Sequence, residues 1–457
     1  SEEIFKQLYG NYQQEMGRRG LLDFDDMLVM CYRLFRERKD ILSAWQRKYQ
    51  YILIDEFQDI NRIQYEVVKM MALPGNNLFI VGDDDQSIYR FRGARPELML
   101  GFPKDYPQCG RVLLDVNYRS TPQIVEAAGR LIAHNKTRFA KEIRAVRRPG
   151  RPVITRVFQD GAMEAEAISR ELRDYAKAGV KWEQMAVLFR TNLGPRLLVE
   201  KLMEYNIPFC LRDELPNLFD HWIARNILDY ILAARGHMER ARILSIINRP
   251  KRYVSRDALE GEMINWEQVK SFYQDKGWMV ERIEDLEIHL MSIKKMAPAA
   301  AVNYIRKAVG YNEFLKEYAA FRRMKPEELY EIADQVQESA AQFQTAEAWF
   351  QHIARYREQL KEQARERNQK REGVSLMTMH SSKGLEFRVV FILDANEGVT
   401  PHHKAFLDAD MEEERRMFYV AMTRAKERLH VYYVKERYHK KQEVSRFVKE
   451  YLEQEAK

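Results

Sequence analysis

The dipeptide Asp55-Glu56 closes an apolar run, Tyr51–Glu56 (YILIDE), and that placement suits phosphate chemistry. A carboxylate at a strand end can hold Mg²⁺, directly or through water, while its neighbour orients or deprotonates a water aimed at a terminal phosphate. An acidic strand end alone is common and carries no chemistry; the longer string IDEFQD (Ile54–Asp59) is more informative. About 23 residues on, GDDDQSIYRFRGA (Gly82–Ala94) follows a second apolar run. Gln86 in it can sense a terminal phosphate, and Tyr89 and Phe91 stand beside Arg90 and Arg92. Aromatics interleaved with arginines suit single-stranded nucleic acid, because every base has a π-face and every phosphate a charge. Core packing with a solvated rim is the competing reading of the same residues.

These groups need strands and helices to aim them. YILIDE and NLFIVGDD (Asn77–Asp84) are expected to be buried strands, with VLLDV (Val112–Val116) a third. Helical stretches are expected over Ser1–Met16, Phe24–Arg38 and Ile60–Leu73, the last stopped by Pro74-Gly75. The rhythm continues through a helix at Thr121–His134, a strand at Val153–Phe158, a helix to Ala178, a strand at Met185–Thr191 and a helix from Pro195. Such alternation implies parallel βαβ units, whose ligands lie at the carboxyl ends of the strands. From about Phe219 to Arg371 only helical signals remain, ending in the charged run Arg355–Arg371, read as a solvated helix or linker. Strands return at Val374–Met379, Val389–Ala395 and His430–Val434, so the fold class is α/β with a helical insertion.

Composition narrows the function. The 457 residues correspond to about three domains. With 46% hydrophobic and 31% charged residues, a large core is available and global disorder is excluded. No apolar run approaches the roughly 18 residues of a membrane span, and the N-terminus lacks the order of a secretory signal. Cys31, Cys109 and Cys210 are far apart and form no CxxC pair, which points to a reducing, cytoplasmic setting. The net charge of +7 fits a phosphate-rich partner without requiring one. His402-His403 has no further ligand at a metal-binding spacing and reads as loop surface, and Arg415 and Arg416 as helix-surface or salt-bridge residues.

Five strings carry a likeness: IDEFQD, GDDDQSIYRFRGA, LDVNYRST (Leu114–Thr121), TMHSSKGLEF (Thr378–Phe387) and EEERRMFYVAMTRAKERL (Glu412–Leu429). In order and spacing they resemble superfamily 1 helicases of the UvrD/Rep/PcrA group, as do LFRTNLGPR (188–196) and EVSRF (Glu443–Phe447). The resemblance implies two RecA-like motor domains that sandwich ATP, each with an inserted accessory domain. It implies a partial first motor domain over 1–114, a second in two segments, 115–218 and 372–457, and a helical accessory insertion over 219–371. On the same grounds Asp55 would hold Mg²⁺ and Glu56 would be the catalytic base. Gln86, Arg119 and Arg424 would contact the γ-phosphate, Tyr118 would stack on adenine, and Glu386 would bind the ribose. Tyr89, Phe91, Arg92 and His380 would contact single-stranded DNA, with Phe91 standing where tryptophan is usual.

One element of the pattern is missing. A phosphate cradle of the GxxxxGK[ST] type needs a Gly-Lys pair, and none of the 20 glycines is followed by lysine. Relative to the family the chain is expected to begin inside the first motor domain. The intact protein is then expected to be an ATP-dependent 3′–5′ DNA helicase of repair or replication restart. Its partners would be single-stranded DNA, single-/double-strand junctions and repair or replication proteins, with no membrane. This chain alone is expected to lack ATPase activity. Two other readings stay open: a non-catalytic DNA-binding or partner-docking module, and the motor part of a RecB/AddA-type helicase–nuclease.

Overall fold

The computed structural model describes residues 2–453 apart from 193, 214, 367–371 and 439. Its centre is a parallel sheet of six strands. Their spatial order is Ile154–Phe158, Ala425–Val434, Phe387–Ile392, Met185–Phe189, Val374–Thr378 and Phe209–Leu211. Strands from both sides of the helical stretch therefore interleave, with Val187 paired to Phe391 on one side and to Leu376 on the other. The innermost strand, Met185–Phe189, is buried at every residue, which is why it reads as a continuous apolar run rather than an alternation.

Period-2 geometry divides these strands between two cores. Val187, Phe189, Val389 and Phe391 face the core that runs on into the helical insertion, beside Trp349 and Tyr356. Ala186, Leu188, Val390 and Ile392 face the other core, which is covered by the helices Pro122–Ala133, Asp408–Met422 and Arg446–Leu452. The insertion comprises the helices between Trp222 and Glu366 and has no packed interior separate from the sheet.

The N-terminal part is thinner. Strands Ile52–Ile54 and Leu78–Ile80 pair in parallel only with each other, and Phe57, Tyr65 and Phe102 form a small core beneath them. The expectation of fully buried strands here needs correction. Leu53 is 72% exposed and Phe79 61%, because a two-stranded ribbon with helices on one face leaves the other face open. VLLDV is not a strand either. Val112, Leu113 and Leu114 are exposed coil, and only Val116–Asn117 bridges to Arg144–Ala145, since these residues find no sheet edge to join. The helix Lys39–Lys48 and the strand Phe209–Leu211 were not expected, the strand being too short to show a period.

The charged run is helical through Glu366, with Tyr356 buried inside it; its last residues, 367–371, lie outside the described residues. Among the described residues no helix is long and apolar enough to cross a membrane. The bare ribbon face is an association hazard, because apolar side chains flank unpaired strand edges. Leu53→Thr combined with Phe79→Thr is expected to reduce self-association of this chain in light scattering. Its melting temperature should move by no more than about 2 °C, since neither side chain is buried.

Candidate nucleotide and nucleic-acid site

The acidic strand end is built by a backbone reversal. Glu56 has φ +52°, and this left-handed residue turns the chain so that Phe57 N–H reaches Val81 O at 2.9 Å and Asp59 N–H reaches the Glu56 carbonyl at 2.9 Å. Asp55 and Glu56 are consequently exposed at the carboxyl end of the ribbon while Phe57 and Gln58 are buried. Gln58 orients the site: its Nε2 donates to Glu56 Oε2 at 2.5 Å, and its Oε1 accepts from Asp83 N–H at 3.0 Å. Gly82 permits this, because a Cβ there would lie 2.4 Å from Gln58 Oε1. The exposed Asp55 carboxylate is a hard oxygen donor and fits Mg²⁺ shared with substrate phosphates. Gln86 points its amide to Asp83 Oδ2 at 2.8 Å.

Opposite stand two arginines and a glutamate. Asn117 Oδ1 accepts the N–H groups of Arg119 and Ser120, both at 2.9 Å, folding NYRS into a tight turn. That turn is pinned to the start of the strand Ala425–Val434 through Ser120 Oγ to Ala425 O (2.6 Å) and Thr121 N–H to Lys426 O (3.1 Å). Arg119 Nε then donates to Glu386 Oε2 at 2.8 Å, and Lys426 reaches Glu386 Oε1 at 2.5 Å. The bond from Lys426 and then that from Arg119 hold the Glu386 carboxyl below the usual range. Tyr118 is exposed on the same open recess, which Arg147 also lines.

Arg424 is almost fully buried. Its guanidinium donates to Val420 O, Leu385 O and Thr423 Oγ1 at 2.9–3.2 Å and to no carboxylate. Burial, then the charge of Arg119, lowers its pKa to about 10, against weaker support from Tyr419, Glu56 and Asp83. Arg424 thus lies within electrostatic reach of Arg119, Tyr419, Glu56 and Asp83.

A second surface adjoins it. Phe91, 69% exposed, meets Tyr89 edge-on at 6.1 Å and His380 edge-on at 5.7 Å. Arg92 lies over both Tyr89 (5.0 Å) and Phe91 (5.4 Å). Burial, then the charge of Arg190, pushes His380 down to about 4, so it is neutral at physiological pH. The site residues expected from sequence thus gather into two adjoining groups. Arg119 and Glu386 bind each other, and Arg424 bonds to backbone carbonyls and Thr423.

Other groups escaped sequence reading. Lys141 contacts Asp83, Asp84 (2.6 Å) and Asp85 (3.1 Å), and Arg138 grips Asp85 through both Nε and Nη2. Lys383, 7% exposed, pairs with Asp59. These basic residues are distant in sequence from the acids they meet, so only the fold identifies them. Arg415 and Arg416 are buried salt-bridge residues rather than helix-surface ones, paired with Glu450 and Glu412. Arg415 grips Glu450 and Asn135, and Arg416 donates to Thr137 O, because the helix Asp408–Met422 lies enclosed on all sides from Glu414 onward. His402 is half-buried, with burial lowering it to about 4, and only His403 is loop surface.

Two family models match, described as UvrD/REP helicase N-terminal domain over 1–107 and UvrD-like helicase C-terminal domain over 112–436. Among similar proteins, YjcD of Bacillus subtilis is 34% identical over 94% of this chain and 57% of its own length. The ATP-dependent DNA helicases PcrA of Staphylococcus epidermidis and Staphylococcus aureus are 32% and 33% identical, each over 93% of this chain and 60% of their own length. The chain thus spans well under two thirds of the relatives it matches.

The buried charges make two measurable claims. Lys141→Met leaves three aspartates without their shared cation and is expected to cost about 3–5 kcal/mol in urea unfolding. Because His380 and His402 are held neutral, the unfolded chain binds more protons than the folded one between about pH 6.5 and 4. Stability therefore falls as pH drops through that window and loses nothing further to these groups below it. The double variant His380→Gln, His402→Gln should show a smaller fall in melting temperature over the same window than the parent.

Proposed function

The chain belongs to the UvrD/REP helicase family, and on that premise we propose that it is motor machinery that couples ATP hydrolysis to movement along single-stranded DNA. The observation that carries this reading is a charged cluster, in which Arg424 feels Arg119, Glu56 and Asp83 and Lys383 lies 3.5 Å from Glu56, next to the Tyr89–Phe91–His380 surface that Lys383 also meets. A polyanion suits the first and unpaired bases the second.

In this reading Glu56, held by Gln58, accepts the proton of the attacking water. Asp55 holds Mg²⁺, which when bound offsets charge on the phosphate oxygens. Arg119 and Arg424 stabilise charge on the γ-phosphoryl group as it transfers, and Gln86 contacts the same group. Glu386 exchanges its Arg119 bond for the ribose hydroxyls, and Tyr118 offers its exposed ring to adenine. Tyr89 and Phe91 stack on bases, while Arg92 and His380 meet the backbone. We read movement as 3′ to 5′, service in DNA repair or replication restart, action at single-/double-strand junctions, and a cytoplasmic location; family membership supports these. We likewise read 1–114 as part of one RecA-like motor domain, 115–218 with 372–457 as the other, and 219–371 as the accessory insertion.

Since no Gly-Lys pair occurs among these residues, the phosphate cradle of this motor is not within them. The 457-residue chain is therefore expected to turn over no appreciable ATP, even with oligothymidylate present. Robust DNA-stimulated hydrolysis by the pure chain would overturn that claim. In the complete protein carrying this chain, Glu56→Gln should abolish turnover and leave ATP binding largely intact; unchanged turnover would refute the base assignment. Phe91→Ala should weaken oligothymidylate binding by about 1–3 kcal/mol, roughly 5- to 150-fold, in fluorescence anisotropy. Unaltered affinity there, with Tyr89→Ala also silent, would instead favour a partner-docking module over a translocating motor.

A further inference from the structure

Three arginines crowd into the five residues Arg147–Arg151 (RRPGR), between the strands Arg144–Ala145 and Ile154–Phe158. Pro149 and Pro152 restrict the backbone there, and Gly150 N–H is tied to Gln123 Oε1 at 2.8 Å. Gly150 also presses on Thr121, since a Cβ at that position would lie 2.7 Å from Thr121 Cγ2. The loop is therefore seated on the start of the helix Pro122–Ala133.

With the first residues of the strand Ala425–Val434, this loop encloses an open recess of about 490 Å³, a size common among small-molecule sites. Arg147, Arg148, Arg151 and Arg428 line it, against one carboxylate, Glu427. That carboxylate is already taken: Arg388 Nε donates to its Oε2 at 2.8 Å, and Arg147 Nη2 reaches its Oε1 at 3.5 Å. Arg148 and Arg151 are exposed and form no ion pair among the described residues. Guanidinium groups gathered around one concavity concentrate a positive potential that a single carboxylate does not cancel. The helix adds to it. Thr121 stands at the N-cap of Pro122–Ala133 and lines the recess, yet its side chain caps no N–H of the first turn. Its buried hydroxyl has no hydrogen-bond partner among the described residues. The positive end of a 12-residue helix thus lies at the recess without a side-chain oxygen to offset it. Arg147 is the wall towards the nucleotide recess: it lines both, and its Nη1 is fixed by Arg119 O at 2.8 Å and Lys426 O at 3.4 Å.

We propose that this basic recess is a second phosphate site, separate from the nucleotide site, that takes a short oligophosphate chain. A guanidinium fork presents paired N–H donors at the spacing of phosphate oxygens, so arginines suit such a ligand better than lysines do. The loop's contacts with the helix are made before any ligand arrives, so binding spends little on ordering the backbone. A merely solvated loop makes a different claim, because its arginines then attract anions no better than equal charges elsewhere on the chain. The inference goes beyond the motor reading and does not depend on it, since Arg147 alone is common to the two recesses.

The test is isothermal titration calorimetry of the 457-residue chain with sodium tripolyphosphate at low salt. Three proteins are compared: the parent, Arg148→Ser with Arg151→Ser, and Lys294→Ser with Lys295→Ser, which removes equal charge from exposed positions on the helical insertion. The parent is expected to bind saturably and the loop variant about tenfold more weakly. The insertion variant should stay within about twofold of the parent. Both altered arginines are exposed, so the melting temperature should hold within about 2 °C. If it does not, Arg148→Ser and Arg151→Ser singly, each expected to weaken binding about threefold, take the place of the double variant. Equal weakening in the loop and insertion variants overturns the inference, as does a parent that shows no saturable binding up to about 1 mM. A repeat with oligothymidylate present separates a free oligophosphate from a DNA backbone. Unchanged tripolyphosphate affinity supports the inference, and displacement by oligothymidylate overturns it in favour of a DNA contact. Each overturning result leaves the motor reading standing.

Discussion

Arg424 governs the rest of the site. A guanidinium without a carboxylate partner, nearly inaccessible and next to a second arginine, is an expensive arrangement. Its pKa, lowered to about 10, records that cost, yet it remains charged at neutral pH. Carbonyl and hydroxyl acceptors hold it in place without neutralising it. The residual positive potential is felt by Arg119, Glu56 and Asp83. Fixed donors of this kind stabilise incoming negative charge without reorganising first.

Keeping two like-charged arginines together requires a rigid frame, and the central sheet supplies it. Arg119 is held by the Asn117 turn against Ala425 and Lys426, and Arg424 directly precedes that strand. Phe387 N–H bonds the Arg424 carbonyl at 2.9 Å, which brings Glu386 alongside. Three strings far apart in sequence thus meet at one end of two neighbouring strands, Phe387–Ile392 and Ala425–Val434. Parallel pairing places neighbouring strand starts on one edge, so convergence follows from topology, here at the amino ends of the strands and not at the carboxyl ends expected from sequence.

The elements most visible in the sequence were those whose environment is simplest. Met185–Phe189 and Val389–Ile392 are buried on both faces, and their unbroken apolar runs say so. Phe209–Leu211 is a three-residue edge strand, too short to show a period, and VLLDV has strand composition but no partner. Motif residues such as Glu56, Arg119 and Phe91 could be picked out because the strings holding them are specific. Their partners were hidden: nothing near Lys141 or Lys383 in sequence marks either as the cation for Asp83–Asp85 or Asp59. Charge pairing over such separations is a property of the folded chain. Of the two readings open for Arg415 and Arg416, salt-bridge residues is the one the fold bears out, although a charged pair on a helix ordinarily faces water.

The contacts joining the N-terminal part to the sheet unit differ in kind from those within the sheet unit. Within it, strands and helices share apolar cores on both faces. Between the two parts the links are largely ionic: Lys383 with Asp59, Arg138 and Lys141 with Asp83–Asp85, and Arg90 with Asp410 and Glu413; Ile88 is the principal apolar plug. Ionic and hydrogen-bonded groups recover hydration when separated, whereas a parted apolar core loses its burial outright. An interface of this composition can open and reclose at modest free-energy cost while each side keeps its shape. The helical insertion, by contrast, shares its apolar core with the sheet.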